Sequence, residues 1–219
     1  ACNLINERRE VLSIVTPQIG NGPFNLVIDV DIFFSEHINL NAKRPTSNSP
    51  NYLSLGSLMI HTTDATLWSP HPDWEMLHGR KGVILEQVTK LSIADYLELG
   101  RFDTPLVELS GLLNHHSLPI LQFSNSLISA LVYADTSSAT KITSKLAGLG
   151  IGLTPAGDDF LMGAIYAAWV IHPIEIAKPL TTAIAETAAP LTTSLSAAWL
   201  RSAGKGEAGI LWHEFFDAL

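Results

Sequence analysis

Residues 148–171 read GLGIGLTPAGDDFLMGAIYAAWVI, and the order of residue types in this stretch decides how the rest of the chain is read. Gly148, Gly150 and Gly152 alternate with apolar residues, so the backbone there can adopt conformations closed to other side chains and can approach a ligand closely. Thr154 suits a helix N-cap and Pro155 the first helical position. A glycine-rich loop feeding a helix start is an arrangement that binds anions through unpaired amides. It is not a Walker loop, because the lysine and hydroxyl that close that motif are missing. From residue 160 to 171 the helix is apolar on every side, which predicts a place in the middle of its domain.

Asp158 and Asp159 then stand at the mouth of a buried helix. Two readings follow. Both carboxylates complement the helix dipole in its first turn, or at least one of them binds a divalent cation or a substrate donor. Glycines that do no evident packing favour the second. Hard oxygen ligands suit Mg²⁺, which keeps several waters and so needs few protein ligands. In that reading Asp158 and Asp159 are the catalytic and metal-binding residues, and the metal bridges to a phosphate or carbamoyl group over the Gly150 and Gly152 amides. Thr154 and Gly157 belong to the same ligand-binding segment. Replacing either aspartate by asparagine is expected to remove metal-dependent binding and leave folding nearly intact.

A second hydroxyl-rich helix start lies at residues 190–196, PLTTSLS. Thr192 and Ser196 are four apart and share a face, with Thr193 between them. Capping and back-bonding explain these hydroxyls as well as an oxyanion site does. Two anion-friendly helix starts aimed at one place make a better oxyanion site than either alone, so Thr192, Thr193 or Ser196 is expected to approach the loop at 148–159. Gly204 and Gly206 around Lys205 read as a helix end and turn, with Lys205 as a phosphate contact in the alternative reading.

Outward from these motifs, the texture of the chain divides near Pro70, His71 and Pro72. Before it, Leu26, Ile28, Val30 and Ile32 alternate with Val27, Asp29, Asp31 and Phe33, the period of a half-buried strand. Residues 10–15, 53–60 and 65–68 give shorter runs of the same kind. Gly20, Asn21, Gly22 and Pro23 supply a turn, and residues 41–51 a polar loop. The expected result is an α+β protein: a small antiparallel barrel or sandwich over residues 1–70, packed on a larger all-helical part over residues 71–219 that carries the Gly-rich and Asp-Asp motif. Apolar spacings of three and four predict helices near 73–99 (interrupted), 105–113, 125–134, 137–146, 155–171, 174–187, 190–203 and 207–218.

The 219 residues are 47% hydrophobic and 16% charged, against about 25% charged in an average soluble domain, so a disordered chain is excluded. A formal charge of −8 argues against a nucleic-acid binder and against a polybasic membrane patch. Any anionic ligand must therefore be held by local dipoles or a metal. The longest apolar run, residues 160–171, is well short of the roughly 20 residues that span a bilayer. A single cysteine, Cys2, excludes an internal disulfide and fits a reducing, cytoplasmic setting. Ala1 reads as an internal or processed start, without the pattern of a signal peptide.

The histidines lack a metal spacing: His115 and His116 are adjacent, and His71 and His78 are seven apart with Trp74 between. The serines lack a nucleophile elbow. Trp68, Trp74, Trp169, Trp199 and Trp212 read as core and seam residues.

The segment GLGIGLTPAGDDFLMG at residues 148–163 resembles the signature of a bacterial family that includes the AllH-type subunit of oxamate carbamoyltransferase. Asn21-Gly22-Pro23, Leu55-Gly56-Ser57-Leu58 before Asp64, Trp68-Ser69-Pro70 and the Thr192-Thr193-Ser194 helix follow in the family's order. The resemblance implies a role in anaerobic purine (allantoin) catabolism, in a hetero-oligomeric enzyme that converts oxalurate and phosphate to oxamate and carbamoyl phosphate. It thereby implies partner subunits and a small anionic substrate, and the charge and hydropathy above add the expectation of neither nucleic acid nor membrane. The alternatives are a non-catalytic structural or regulatory subunit, or a carboxylase-like protein of unknown substrate.

Overall fold

The structure, a computed structural model, describes residues 1–28, 42–43, 52–55, 58–90 and 117–219. It divides into two compact units, Ala1–Pro70 and His71–Leu219.

In the first unit the described strands are β1 (Cys2–Ile5), β2 (Val11–Val15), β3 (Asn25–Val27), β4 (Ala42–Lys43), β5 (Tyr52–Leu55) and β6 (Leu58–His61). They form two three-stranded sheets, in the orders β1-β2-β3 and β4-β5-β6, and no closed barrel among the described residues. The first sheet corrects the antiparallel expectation. β1 and β2 are antiparallel, with Leu4 opposite Leu12, but β2 and β3 run parallel, with Ile14 opposite Leu26. The Gly-Asn-Gly-Pro stretch does not close a hairpin, because residues 16–24 are long enough to carry the chain back along a pairing of only three residues. Asn25 secures that return, its Nδ2 donating to the Gly20 carbonyl at 2.9 Å, and Gly20 takes a φ of 77° that L side chains disfavour.

Residues 53–60, expected as one run, contribute to two antiparallel strands, β5 and β6, and residues 65–68 form no strand. The core of this unit is Ile14 and Ile60, packed with Cys2, Leu4, Leu26 and Leu53, so apolar residues from both sheets meet. The alternating run continues into residues 29–32, which lie outside the described residues, as do most of the polar loop at 41–51, the helix expected at 105–113, and His115 and His116.

The second unit is helical: α1 (Trp74–Gly79), α2 (Lys81–Lys90), α3 (Ser117–Val132), α4 (Thr136–Leu146), α5 (Ala156–Ile171), α6 (Ile174–Ala188), a 3₁₀ turn (Ala189–Leu191), α7 (Ser194–Gly204) and α8 (Ile210–Ala218). No strand follows residue 150. Asp73 caps α1 by accepting from the Met76 amide, and Asp135 caps α4 by accepting from Ser138, each satisfying an amide that the first turn leaves open.

Helix α5 organises the unit. Leu161, Ile165, Tyr166, Ala168, Trp169 and Val170 are buried on it, as a helix without a polar stripe requires. Its aromatic end stacks with Trp74, 6.0 Å from the Tyr166 ring and 5.6 Å from Trp169. Phe216 of α8 meets Trp74 edge-on at 5.1 Å. Both buried indoles spend their N–H on backbone, Trp74 on Gly206 and Trp169 on Ala203, as buried tryptophan requires. Gly206 is obligatory here, because its φ is 81° and a Cβ would sit 2.8 Å from the Trp74 Nε1. The tryptophans expected in the core are there for Trp74 and Trp169, while Trp212 packs partly buried against them. No described helix is long and apolar enough to cross a membrane.

Candidate functional site

The loop at residues 148–155 is held between α4 and α7, and its own geometry explains its glycines. Gly148 has a φ of 71°, and a Cβ there would collide with the Leu191 carbonyl. Gly150, at φ 122°, would place a Cβ 2.8 Å from the Ala156 amide nitrogen, and Gly157 would drive one into the Leu146 carbonyl. The Gly157 amide donates to Leu149 O at 2.8 Å, closing the loop onto the first turn of α5. These glycines therefore do packing work that their spacing in the sequence conceals. Gly152 differs: its φ is 97°, but the space beside it is open.

The cap of α5 also departs from expectation. Pro155 occupies the N-cap position and offers no side-chain hydrogen bond, while Thr154 is exposed. The chain enters the helix one residue later than the Thr-Pro pattern suggests. The first-turn amide of Gly157 is satisfied instead by the Leu149 carbonyl, and Asp158 and Asp159 both stand in that turn.

Asp158 is 2% exposed, and its carboxylate gathers donors from three places. One oxygen accepts the Gly148 amide at 2.8 Å. The other accepts the Ser196 hydroxyl at 2.7 Å and a short hydrogen bond from the Thr192 hydroxyl. Burying a carboxylate is tolerable when charge-assisted hydrogen bonds replace its water, as these do. Thr193 adds a further tie. Its hydroxyl donates to Leu153 O at 2.6 Å and also accepts the Ser196 amide at 3.1 Å, so it caps α7 and grips the loop together. The two helix starts thus meet at one place, through all three of Thr192, Thr193 and Ser196. The helix expected from residue 190 begins instead with the 3₁₀ turn and resumes at Ser194, an interruption that turns Thr192 and Thr193 toward the loop.

The consequence is chemical. The oxyanion-type donors of this corner, two hydroxyls and an amide, are already filled by the protein's own carboxylate. Both Asp158 oxygens face protein donors. Asp159, next in sequence, is exposed, and partial burial together with the neighbouring Asp158 charge raises its pKa above the ordinary 3.8. A carboxylate in that condition favours a proton or a cation nearby. Among the described residues no group of three or more His, Cys, Asp or Glu is arranged to hold a metal ion.

Beyond the Asp158 tie, the loop tip is open. Ile151 is 86% and Leu153 65% exposed, and the Gly150 and Gly152 amides make no hydrogen bond among the described residues. Leu191, at 49% exposure, stands beside Gly148 through its carbonyl. Lys205 is the exposed C-cap of α7, its amide bonded within the helix end.

This loop, the helix it feeds and the helix it grips all fall within one stretch of recognisable sequence. Residues 146–219 match the model of the family oxamate carbamoyltransferase subunit AllH. The matched span begins at the last residue of α4 and runs through α8, so it contains the loop, Asp158 and every hydroxyl that ties to it. No curated protein and no solved structure matches the chain. The AllH match agrees with the resemblance carried by residues 148–163.

Sequence reasoning missed the role of Leu146, Leu149, Leu153 and Leu191, whose backbone carbonyls anchor or confine the loop. Nothing in a leucine's identity marks its carbonyl as an acceptor. It also missed that Gly148 donates to Asp158, although a glycine ten residues before a buried acid, with two hydroxyls downstream, is the signal that was available.

Proposed function

We propose that this chain is a subunit of a carbamoyltransferase-type enzyme of the oxamate carbamoyltransferase kind, and that its glycine-rich loop contributes to an anion site completed by partner subunits. The AllH match over residues 146–219 supports the subunit reading. The observation that carries the site is a division of labour within the loop. Asp158 consumes three donors to fix the backbone, while the Gly150 and Gly152 amides have no acceptor among the described residues and lie beside exposed Ile151 and Leu153. A fixed amide pair with an apolar surround suits a phosphate or carboxylate whose other face is covered by another chain, because preorganised donors cost no reorganisation when charge develops.

In this reading Asp158 is a positioning residue. Asp159 is the carboxylate with an open environment, and it would serve a divalent cation such as Mg²⁺ where an anionic ligand has to be neutralised beside it. The reaction to test is the conversion of oxalurate and phosphate to oxamate and carbamoyl phosphate. Reconstituting that enzyme with and without this chain, and measuring carbamoyl phosphate formation, tests the proposal. Activity that requires the chain supports it, and full activity in its absence refutes it.

A further inference from the structure

A second site lies away from the loop, in a cleft of about 220 Å³ in the helical unit. Trp74, Trp169, His78, His172, Glu75 and Glu175 line it. Every side-chain N–H that the structure fixes in this lining is spent inward. Trp74 Nε1 donates to Gly206 O at 2.8 Å and Trp169 Nε1 to Ala203 O at 2.9 Å. His78 Nδ1 lies 3.0 Å from Val170 O, and His172 Nε2 lies 2.7 Å from Leu131 O. A carbonyl oxygen only accepts, so these two imidazole nitrogens carry the protons. In a neutral ring the other nitrogen is then a lone-pair acceptor.

With the rings neutral, the side chains of the cleft are left with acceptors, two imidazole nitrogens and two carboxylates, while the buried, mutually stacked indoles form its floor. Among the described residues no Lys or Arg lines it. The start of α6 brings backbone amides to the same place, and Glu175 in its first turn opposes their partial charge. The acceptors are not gathered tightly enough to share one metal ion. They suit a ligand whose N–H donors are spread over several atoms.

We propose that this cleft binds a small planar organic cation of the guanidinium type. Its size is below the roughly 300 to 1,000 Å³ of sites for drug-sized ligands, which selects a single guanidinium or amidinium group with a short substituent. The site is independent of the loop at 148–155 and of the enzyme assignment.

Titration of the full chain with methylguanidinium at constant ionic strength, followed by the tryptophan indole NMR signals and by fluorescence, tests this. The expected result is a saturable millimolar response centred on Trp74 and Trp169. The double variant Glu75→Gln, Glu175→Gln replaces two exposed side chains, so it stays folded with a melting temperature lowered only slightly by the loss of two first-turn carboxylates, while losing at least about tenfold in affinity, the scale of one charged hydrogen bond. Tetramethylammonium, which carries the charge without N–H donors, should not compete, and neither should acetate. A linear, non-saturating response, unchanged affinity in the double variant, or equal competition by tetramethylammonium or acetate would each overturn the proposal.

Discussion

Asp158 shows how a single residue can look like a ligand-binding group and serve as an internal tie. Its sequence context, an acid beside another acid at a glycine-rich helix start, admits both a metal ligand and a structural role at the helix start, and leans toward the ligand. The geometry separates the two, because three protein donors converge on one carboxylate that is 2% exposed. Asp158→Ala should therefore destabilise the helical unit by about 3 to 5 kcal/mol, since it removes the acceptor of the Gly148 amide and the Ser196 hydroxyl and breaks the tie to Thr192. Asp158→Asn should cost less but still measurably, against the expectation of near-intact folding. Chemical denaturation of the variants checks both.

Asp159 behaves differently. Its pKa is raised in the folded state, so the folded protein holds the proton more tightly than the unfolded chain does, and stability falls as pH rises from 3.8 through the raised value. Asp159→Asn should abolish that fall, leaving the variant more stable than the parent near neutrality and showing no such advantage below pH 3.8. Melting temperatures across the acidic range would show it, and an advantage that instead grew toward low pH would contradict the assignment.

At the scale of elements, loop and helices are fitted by backbone against backbone. Gly157→Ala forces a Cβ into the Leu146 carbonyl, and neither atom belongs to a flexible side chain. This substitution should cost more than about 3 kcal/mol, beyond ordinary overpacking. Gly152→Ala meets open space and only an unfavourable φ, worth about 1 to 2 kcal/mol. The contrast between the two, read by thermal melts, distinguishes close packing from conformational freedom. Within α4, the Thr143 hydroxyl is buried and has no partner among the described residues, so Thr143→Val, which removes it at nearly constant shape, should raise stability by about 1 kcal/mol.

Sequence periodicity reached the elements well where the helix is buried on many sides, as in α5. It placed α4 and α6 within about two residues at each end, because their apolar stripes are clear. It did less well for short strands. β1 was not seen, since only Leu4 and Ile5 interrupt a polar context, and the parallel pairing of β3 depends on a return that no local signal encodes. The two helix starts shared a site as the Thr192 and Ser196 spacing allowed, but the glycines' packing against Leu146 and Leu191 carbonyls was invisible, because it is a contact between backbones distant in sequence.

For the molecule as a whole, the chain divides into two compact units, Ala1–Pro70 and His71–Leu219, and the recognisable family segment, residues 146–219, lies entirely within the second. In the function proposed above, the exposed tip of that unit, Ile151 and Leu153, is the surface that a partner subunit covers. The most direct measurement is on the double variant Ile151→Asp, Leu153→Asp, scored both for melting temperature and for carbamoyl phosphate formation in the reconstituted multi-subunit enzyme. Both side chains are exposed, so the account predicts an unchanged melting temperature with loss of assembly and activity. A variant that assembles and turns over like the parent would contradict it.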